Sequence, residues 1–161
     1  MNKIFALIVA VFIVATDTFA DRIINKGLAE QGGGSLPVTP FFNLVSVQNT
    51  GVSFGLLQEI SYGRWVLLGL SLIITAALVV WLFRTSSLVL SCALGLVIGG
   101  AVGNMIERAR YGAVFDFLDF HAYGWHWPAF NFTDSAIVIG MFLLIFYEFM
   151  GSSVKEAKNI G

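Results

Sequence analysis

"SSLVLSCALGLVIGGAVGNMI" (residues 86–106) runs for 21 residues without a charged side chain. About 20 residues of helix cross the hydrocarbon core of a bilayer, so this stretch reads as a membrane span. Within it, Gly95, Gly99 and Gly103 recur at four-residue spacing and fall on one face of a helix. A ridge without side chains lets a second helix approach closely, and packing rather than flexing is the expected role of these glycines. Cys92 lies in the same run, is the only cysteine of the chain and cannot form an intramolecular disulfide. It reads as a small buried hydrophobe.

Outward from this span, three more stretches have the length and composition of membrane helices: Ile4–Ala20, Trp65–Phe83 and Ser135–Met150. The 161 residues are 57% hydrophobic and 12% charged, with a mean hydropathy of +0.83. Soluble domains are roughly half apolar and a quarter charged, so the chain is that of a membrane protein. A net charge of −1 without any basic block excludes a nucleic-acid binder. The first span also carries signal-peptide features, Lys3 before the apolar run and "TFA" before Asp21. It is expected to be retained as a helix.

Four spans joined by residues 21–64, 84–85 and 107–134 impose a parity. The two long connections share one side, and both termini share the other with the short turn. Lys3, Arg84, Lys155 and Lys158 occupy short segments on the terminal side, whereas Arg22, Lys26, Arg64, Arg108 and Arg110 are spread over the long connections. Positive charge in short segments orients a membrane protein toward the cytoplasm, which places the termini there and the long connections in the periplasm. After the flexible "QGGGS", the stretch "LPVTPFFNLVSVQNTGVSFGLL" (36–57) is rich in β-branched and aromatic residues with "NTG" as a turn signal. The expected fold class is therefore membrane all-α with a small β element: four transmembrane helices plus a β-structured periplasmic cap on the membrane surface. The chain reads as a single membrane-embedded domain over residues 1–161.

Carboxylates are scarce, yet "YGAVFDFLDF" (111–120) places Asp116 and Asp119 among aromatic and aliphatic residues. An ionised carboxylate against apolar surface is costly unless it shares a proton, finds a partner or has a chemical task. Asp17, Asn104, Arg108, Asn131 and Asp134 fall near the same membrane face by parity. Asp134 in "TDSA" suits a helix N-cap. The 16 residues after it reach only about 24 Å as helix, however, so the span must borrow from the aromatic segment before it, which sinks Asp134 into the membrane edge. Two carboxylates at close range in a low-dielectric site share one proton and can perform general acid/base work on water and a peptide carbonyl. Asp116 with Asp134 is the favoured pair. Asp119 competes for the first position, but its offset along an extended strand points it to the opposite face, toward an ion pair with Arg108 or Arg110. His121 and His126 lie in an aromatic belt with Tyr123, Trp125 and Trp127 and read as interfacial anchors. No metal site or other cofactor is supported, and neither a nucleophile elbow nor a glycine-rich phosphate loop occurs.

"NTGVSFGLL" (49–57), "GNMIERARYGAVFDFLDF" (103–120) and "FNFTDSAI" (130–137), in this order on four spans, resemble the lipoprotein signal peptidases, or signal peptidase II. The resemblance covers essentially the whole chain. It implies an aspartic endopeptidase of the bacterial inner membrane that removes the signal peptide from prolipoproteins, cutting before a cysteine that carries diacylglycerol. The resemblance makes Asp116 and Asp134 the catalytic pair, and makes Asn49, Asn104, Arg108 and Asn131 the polar residues that shape the site. The first-helix acid of the family corresponds to Asp17, with Asp21 as a rival, and Glu107 stands where the family has aspartate. The expected partners are a lipidated prolipoprotein and membrane lipid, with the chain acting as a monomer. The alternative from another class is a noncatalytic membrane scaffold or transporter subunit with structural acids. Transport is disfavoured because spans two to four have almost uncharged interiors.

Overall fold

A computed structural model of the chain describes residues 1–51 and 63–159, the stretch 151–159 by its backbone alone. Its elements follow in the order α1 (Asn2–Glu30), β1 (Ser35–Thr39), β2 (Phe42–Asn49), α2 (Gly63–Arg84), α3 (Leu88–Tyr111), β3 (Val114–Ala122), β4 (Trp125–His126) and α4 (Phe132–Asn159). Four helices among the described residues are long and apolar enough to cross a membrane: α1, α2, α3 and Phe132–Met150 of α4. The expected fold class is the one observed, with differences at the edges of the elements.

Helix α1 runs ten residues past the expected end at Ala20. "DRIINKGLAE" contains no breaker strong enough to stop it, and Lys26 and Glu30 pair at i,i+4 across 3.9 Å. The chain turns only at "QGGG", where Gly32, Gly33 and Gly34 all take positive φ, a conformation that side chains disfavour. Helix α3 likewise continues past Ile106 to Tyr111 and ends on Gly112 in the left-handed conformation, whose N–H donates to the Arg108 carbonyl at 3.1 Å. Ser87 caps its start, Oγ accepting from Leu90 N–H at 3.3 Å.

The expected cap is a four-stranded antiparallel sheet in the order β1-β2-β3-β4. It draws on both long connections rather than the first alone, because "VFDFLDFHA" pairs with β2 in a register that sets Val47 opposite Asp116 and Asn43 opposite Asp119. Asn49 closes β2, its Oδ1 accepting from Gly51 N–H at 3.2 Å in a local turn. The remainder of the expected extended stretch, 52–57, lies outside the described residues. At the opposite end of the bundle, Asn2 donates to the Ser86 carbonyl at 2.8 Å and Lys3 to that of Phe83 at 2.6 Å. The amino terminus and the α2–α3 turn thus share one end, as parity requires.

Helix α3 is the hub of the bundle and its most buried helix, with α1 and α4 packed on it. A Cβ added at Gly95 would stand 2.6 Å from the Ala6 carbonyl oxygen, and one at Gly99 would stand 2.7 Å from Ala10 Cα. Gly103 instead faces the Thr133 side chain, and Gly140 of α4 faces Val97 and the Ala93 carbonyl. The glycine ridge therefore serves packing against two helices. Gly69 of α2 meets nothing within 4 Å, so Gly69→Ala is expected to leave the thermal midpoint in detergent unchanged or raise it slightly, by up to about 1 kcal/mol of helix propensity.

Candidate active site

The start of α4 organises the site. Asn131, fully buried, is its N-cap: Oδ1 accepts from Asp134 N–H at 2.8 Å, and the Asn131 carbonyl accepts from Ser135 N–H at 3.1 Å. The cap role considered for Asp134 thus belongs to Asn131. α4 begins three residues earlier than the expected span, leaving the Asp134 side chain in the first turn with its own interactions. A second carboxylate serves the same helix end. Asp17, buried on α1, accepts at Oδ1 from Phe132 N–H at 3.0 Å and Thr133 N–H at 3.2 Å, across 115 positions of sequence. These N–H groups lack intrahelical partners, and a negative charge at a helix N-terminus is favourable. Asp21, the rival, is bonded by Asn25 one turn along its own helix.

Asp134 Oδ1 accepts from Asn104 Nδ2 at 2.8 Å. Thr133 Oγ1 lies 2.7 Å from both Asn104 Oδ1 and Asn131 Oδ1, joining the two amides. Asp116 on β3 is buried; its Oδ2 accepts from Asn49 Nδ2 at 3.0 Å, and its Oδ1 has no hydrogen-bond partner among the described residues. The backbone beside it is fixed from two sides. Phe115 N–H donates to Glu107 Oε2 at 2.9 Å, and the Phe115 carbonyl accepts from Asn131 Nδ2 at 3.3 Å. Asn131 therefore ties the strand of Asp116 to the helix of Asp134. Burial, and after it the charge of Asp134, pushes the Asp116 carboxyl up to about 7.

Asn49, Gly51, Asn104, Arg108 and Asp134 line one cleft of about 200 Å³. Arg108 is buried and donates to the Gly51 carbonyl at 3.0 Å, a backbone partner rather than either aspartate. Asp119 does not pair with Arg108 or Arg110. Its carboxylate meets Asn43 Nδ2 at 2.8 Å and His126 Nδ1 at 2.8 Å, because the β2 and β4 neighbours of β3 reach it first. Burial opposes its ionisation, but the bonds from His126 and Asn43 outweigh this and hold the carboxyl below its ordinary value. His126 accordingly locks the β3–β4 hairpin, with the His121 ring stacked on it at 4.8 Å, instead of serving simply as an anchor. Among the described residues no group of three or more His, Cys, Asp or Glu side chains could hold a metal ion.

Glu107 and Thr133 belong to this network and were not singled out as site residues from sequence. A carboxylate at the end of an apolar helix and a hydroxyl in "NFTD" are the signals that would have found them. Asn131→Ala is expected to cost about 1 kcal/mol for the lost cap, and more through the stranded Thr133 and Phe115 groups, read as a lower thermal midpoint.

Four membrane-length helices beneath a small sheet, with buried Asp116 and half-buried Asp134 each held by an asparagine, define a polytopic membrane protein with an acid-based candidate centre. The family model for Signal peptidase (SPase) II matches residues 9–150, and the chain belongs to that family. It is 44% identical over 130 residues to a lipoprotein signal peptidase of Yersinia enterocolitica, covering 79% of this chain and 77% of that one. It is 37% identical over 156 residues to one of Anaplasma phagocytophilum, covering 97% and 99%. A bacterial membrane enzyme solved by the in meso method superimposes with a TM-score of 0.82 at 31% identity, covering 94% of this chain and 91% of that one.

Proposed function

We propose that the chain is an aspartic endopeptidase working at the membrane edge, with Asp116 and Asp134 as its catalytic pair and the whole chain as one peptidase unit. Removal of signal peptides from prolipoproteins is the activity its family membership supports. The observation that carries the aspartic reading is Asp116: a buried carboxylate with one oxygen fixed by Asn49, the other unpartnered, and its proton affinity raised by burial and by Asp134. Such a pair holds one proton between its members at neutral pH. The ionised member takes a proton from water as the water oxygen bonds to the scissile carbonyl carbon. The protonated member donates to the carbonyl oxygen, and the amine leaves with the proton taken from water.

Asn49 and Asn104 orient the two carboxylates, Asn131 sets their spacing, and Asp17 fixes the helix end that presents Asp134. Arg108 tunes the local field and holds the chain at Gly51. One copy carries both aspartates, so a monomer suffices. The bacterial relatives and the charge distribution support an inner-membrane location, with cytoplasmic termini and the pair on the periplasmic face. The substrate is a prolipoprotein whose cysteine, just after the cut, carries diacylglycerol.

The test is cleavage by the purified protein in lipid. Release of the signal peptide from diacylglyceryl-modified precursor, and far slower release from unlipidated precursor, is the expected result; equal rates would reject the lipid requirement. On the alkaline side kcat/KM is expected to fall as pH rises through about 7, where Asp116 loses its proton.

The same carboxyl couples pH to stability. Its folded value of about 7 lies above the ordinary 3.8, so the folded state binds this proton more tightly. The associated stability is fully present below about 3.8 and is lost as pH rises through about 7. Asp116→Asn is therefore expected to raise the thermal midpoint relative to the parent at pH 8 and to change it little at pH 4. An equal shift at both pH values would rule out this coupling.

A further inference from the structure

Asp134 stands where two openings meet. On one side is the polar cleft of Asn49, Asn104 and Arg108. On the other, a groove of about 520 Å³ runs from Asp134 along the first turns of α4, walled by Trp127, Pro128, Phe130 and Val138. This groove has no part in the proposed chemistry. Its wall is built rather than incidental: Trp127 N–H donates to the Phe120 carbonyl at 2.8 Å, and Phe130 exchanges two bonds with Leu118, at 3.1 and 2.8 Å. Its outer end opens at Val138 and Ile139, 68% and 54% exposed, on a surface continuous with Phe142 and Phe146 down the lipid-facing side of α4.

We propose that this groove is the binding site for an acyl chain of the lipid carried on the substrate cysteine, an inference that rests on the function proposed above. The cut bond adjoins that cysteine, so with the scissile carbonyl at Asp134 the attached lipid must leave the site within one residue's length. Entering the polar cleft, it would strip the amides and the guanidinium of polar partners. The apolar groove has no such cost. A peptide strand is a poorer occupant, because the backbone groups of Phe130 in its wall are already satisfied by Leu118. A bulk phospholipid lacks the tether to the cut bond that gives the substrate chain its high effective concentration.

Two experiments decide this. Val138→Trp narrows the groove from its lipid-facing rim and leaves both aspartates in the sequence; the short-chain substrate controls for any effect of the indole on Asp134, one turn away. With dipalmitoyl-glyceryl prolipoprotein, kcat/KM is expected to fall about tenfold, mainly through KM, and markedly less with the dioctanoyl form. No loss, or equal loss with both, would overturn the assignment. The second uses the groove intact: Asp116→Asn protein is irradiated with precursor bearing a diazirine at the end of one acyl chain. Labelling is expected within residues 127–139. Label confined to the groove of Ser71, Trp81, Met141 and Phe149, or the same label from a diazirine phospholipid undiminished by precursor, would overturn it. If the parent protein cleaves no dipalmitoyl precursor, the proposed function itself fails and takes the groove with it; parent cleavage without chain-length dependence in Val138→Trp removes the groove alone.

Discussion

Asp116→Asn, and separately Asp134→Asn, are expected to slow signal-peptide release by a factor of about 10² to 10⁴ or more, while the purified proteins keep their helical content. Asparagine preserves volume and a carbonyl oxygen. At position 116 it can still meet Asn49 through that oxygen, and at position 134 it can still meet Asn104. What it cannot do is accept a proton from water or hand one to the carbonyl. In the proposed mechanism the pair acts as one unit, so the double variant should be about as slow as either single one rather than the product of the two losses. Initial rates with diacylglyceryl prolipoprotein, alongside circular dichroism, give both readings. Near-parent cleavage by either variant would refute the aspartic mechanism.

The second large effect concerns folding. Gly99→Val is expected to abolish a cooperative thermal transition in detergent, or to lower its midpoint steeply. The added Cβ would stand 2.7 Å from Ala10 Cα and 2.9 Å from its carbonyl oxygen, and a backbone cannot rotate aside as a long side chain can. Overpacking ordinarily costs about 1–3 kcal/mol, and here the only relief is to separate α1 from α3 along their shared face. That separation also draws Asp17 from Phe132 and Thr133, so activity should fall with stability. Scanning fluorimetry against the exposed-site control Gly69→Ala measures it. A midpoint within a few degrees of the parent would show that the interface yields more easily than its geometry implies.

Much of this architecture was legible in the chain. Spans are a matter of composition and length, so "SSLVLSCALGLVIGGAVGNMI" and its three companions stood out, and their parity placed the polar residues on one face. The four-residue glycine spacing identified a packing ridge, though not that Gly95 and Gly99 receive α1 while Gly103 receives α4. The scarcity of acids made Asp116 and Asp134 conspicuous. Apolar composition marks a span and not the end of its helix: "DRIINKGLAE" stays helical beyond the first span because charge does not break a helix, whereas the triple glycine does.

Hydropathy and local periodicity, both readable along the sequence, determined the four spans and the shared face, and set the few acids there apart as candidates. Tertiary structure decided the partners. Asn131 rather than Asp134 caps α4, Asp17 reaches that same helix end from 115 positions away, Glu107 holds Phe115, and His126 takes Asp119 from the arginines. Each is a hydrogen bond between groups whose separation in space is set by the packing of α1 and α4 on α3 and by the register of β2 on β3. Hydrogen bonds act over about 3 Å and carry no periodicity along the chain, so only the assembled fold selects among the many polar residues that composition allows.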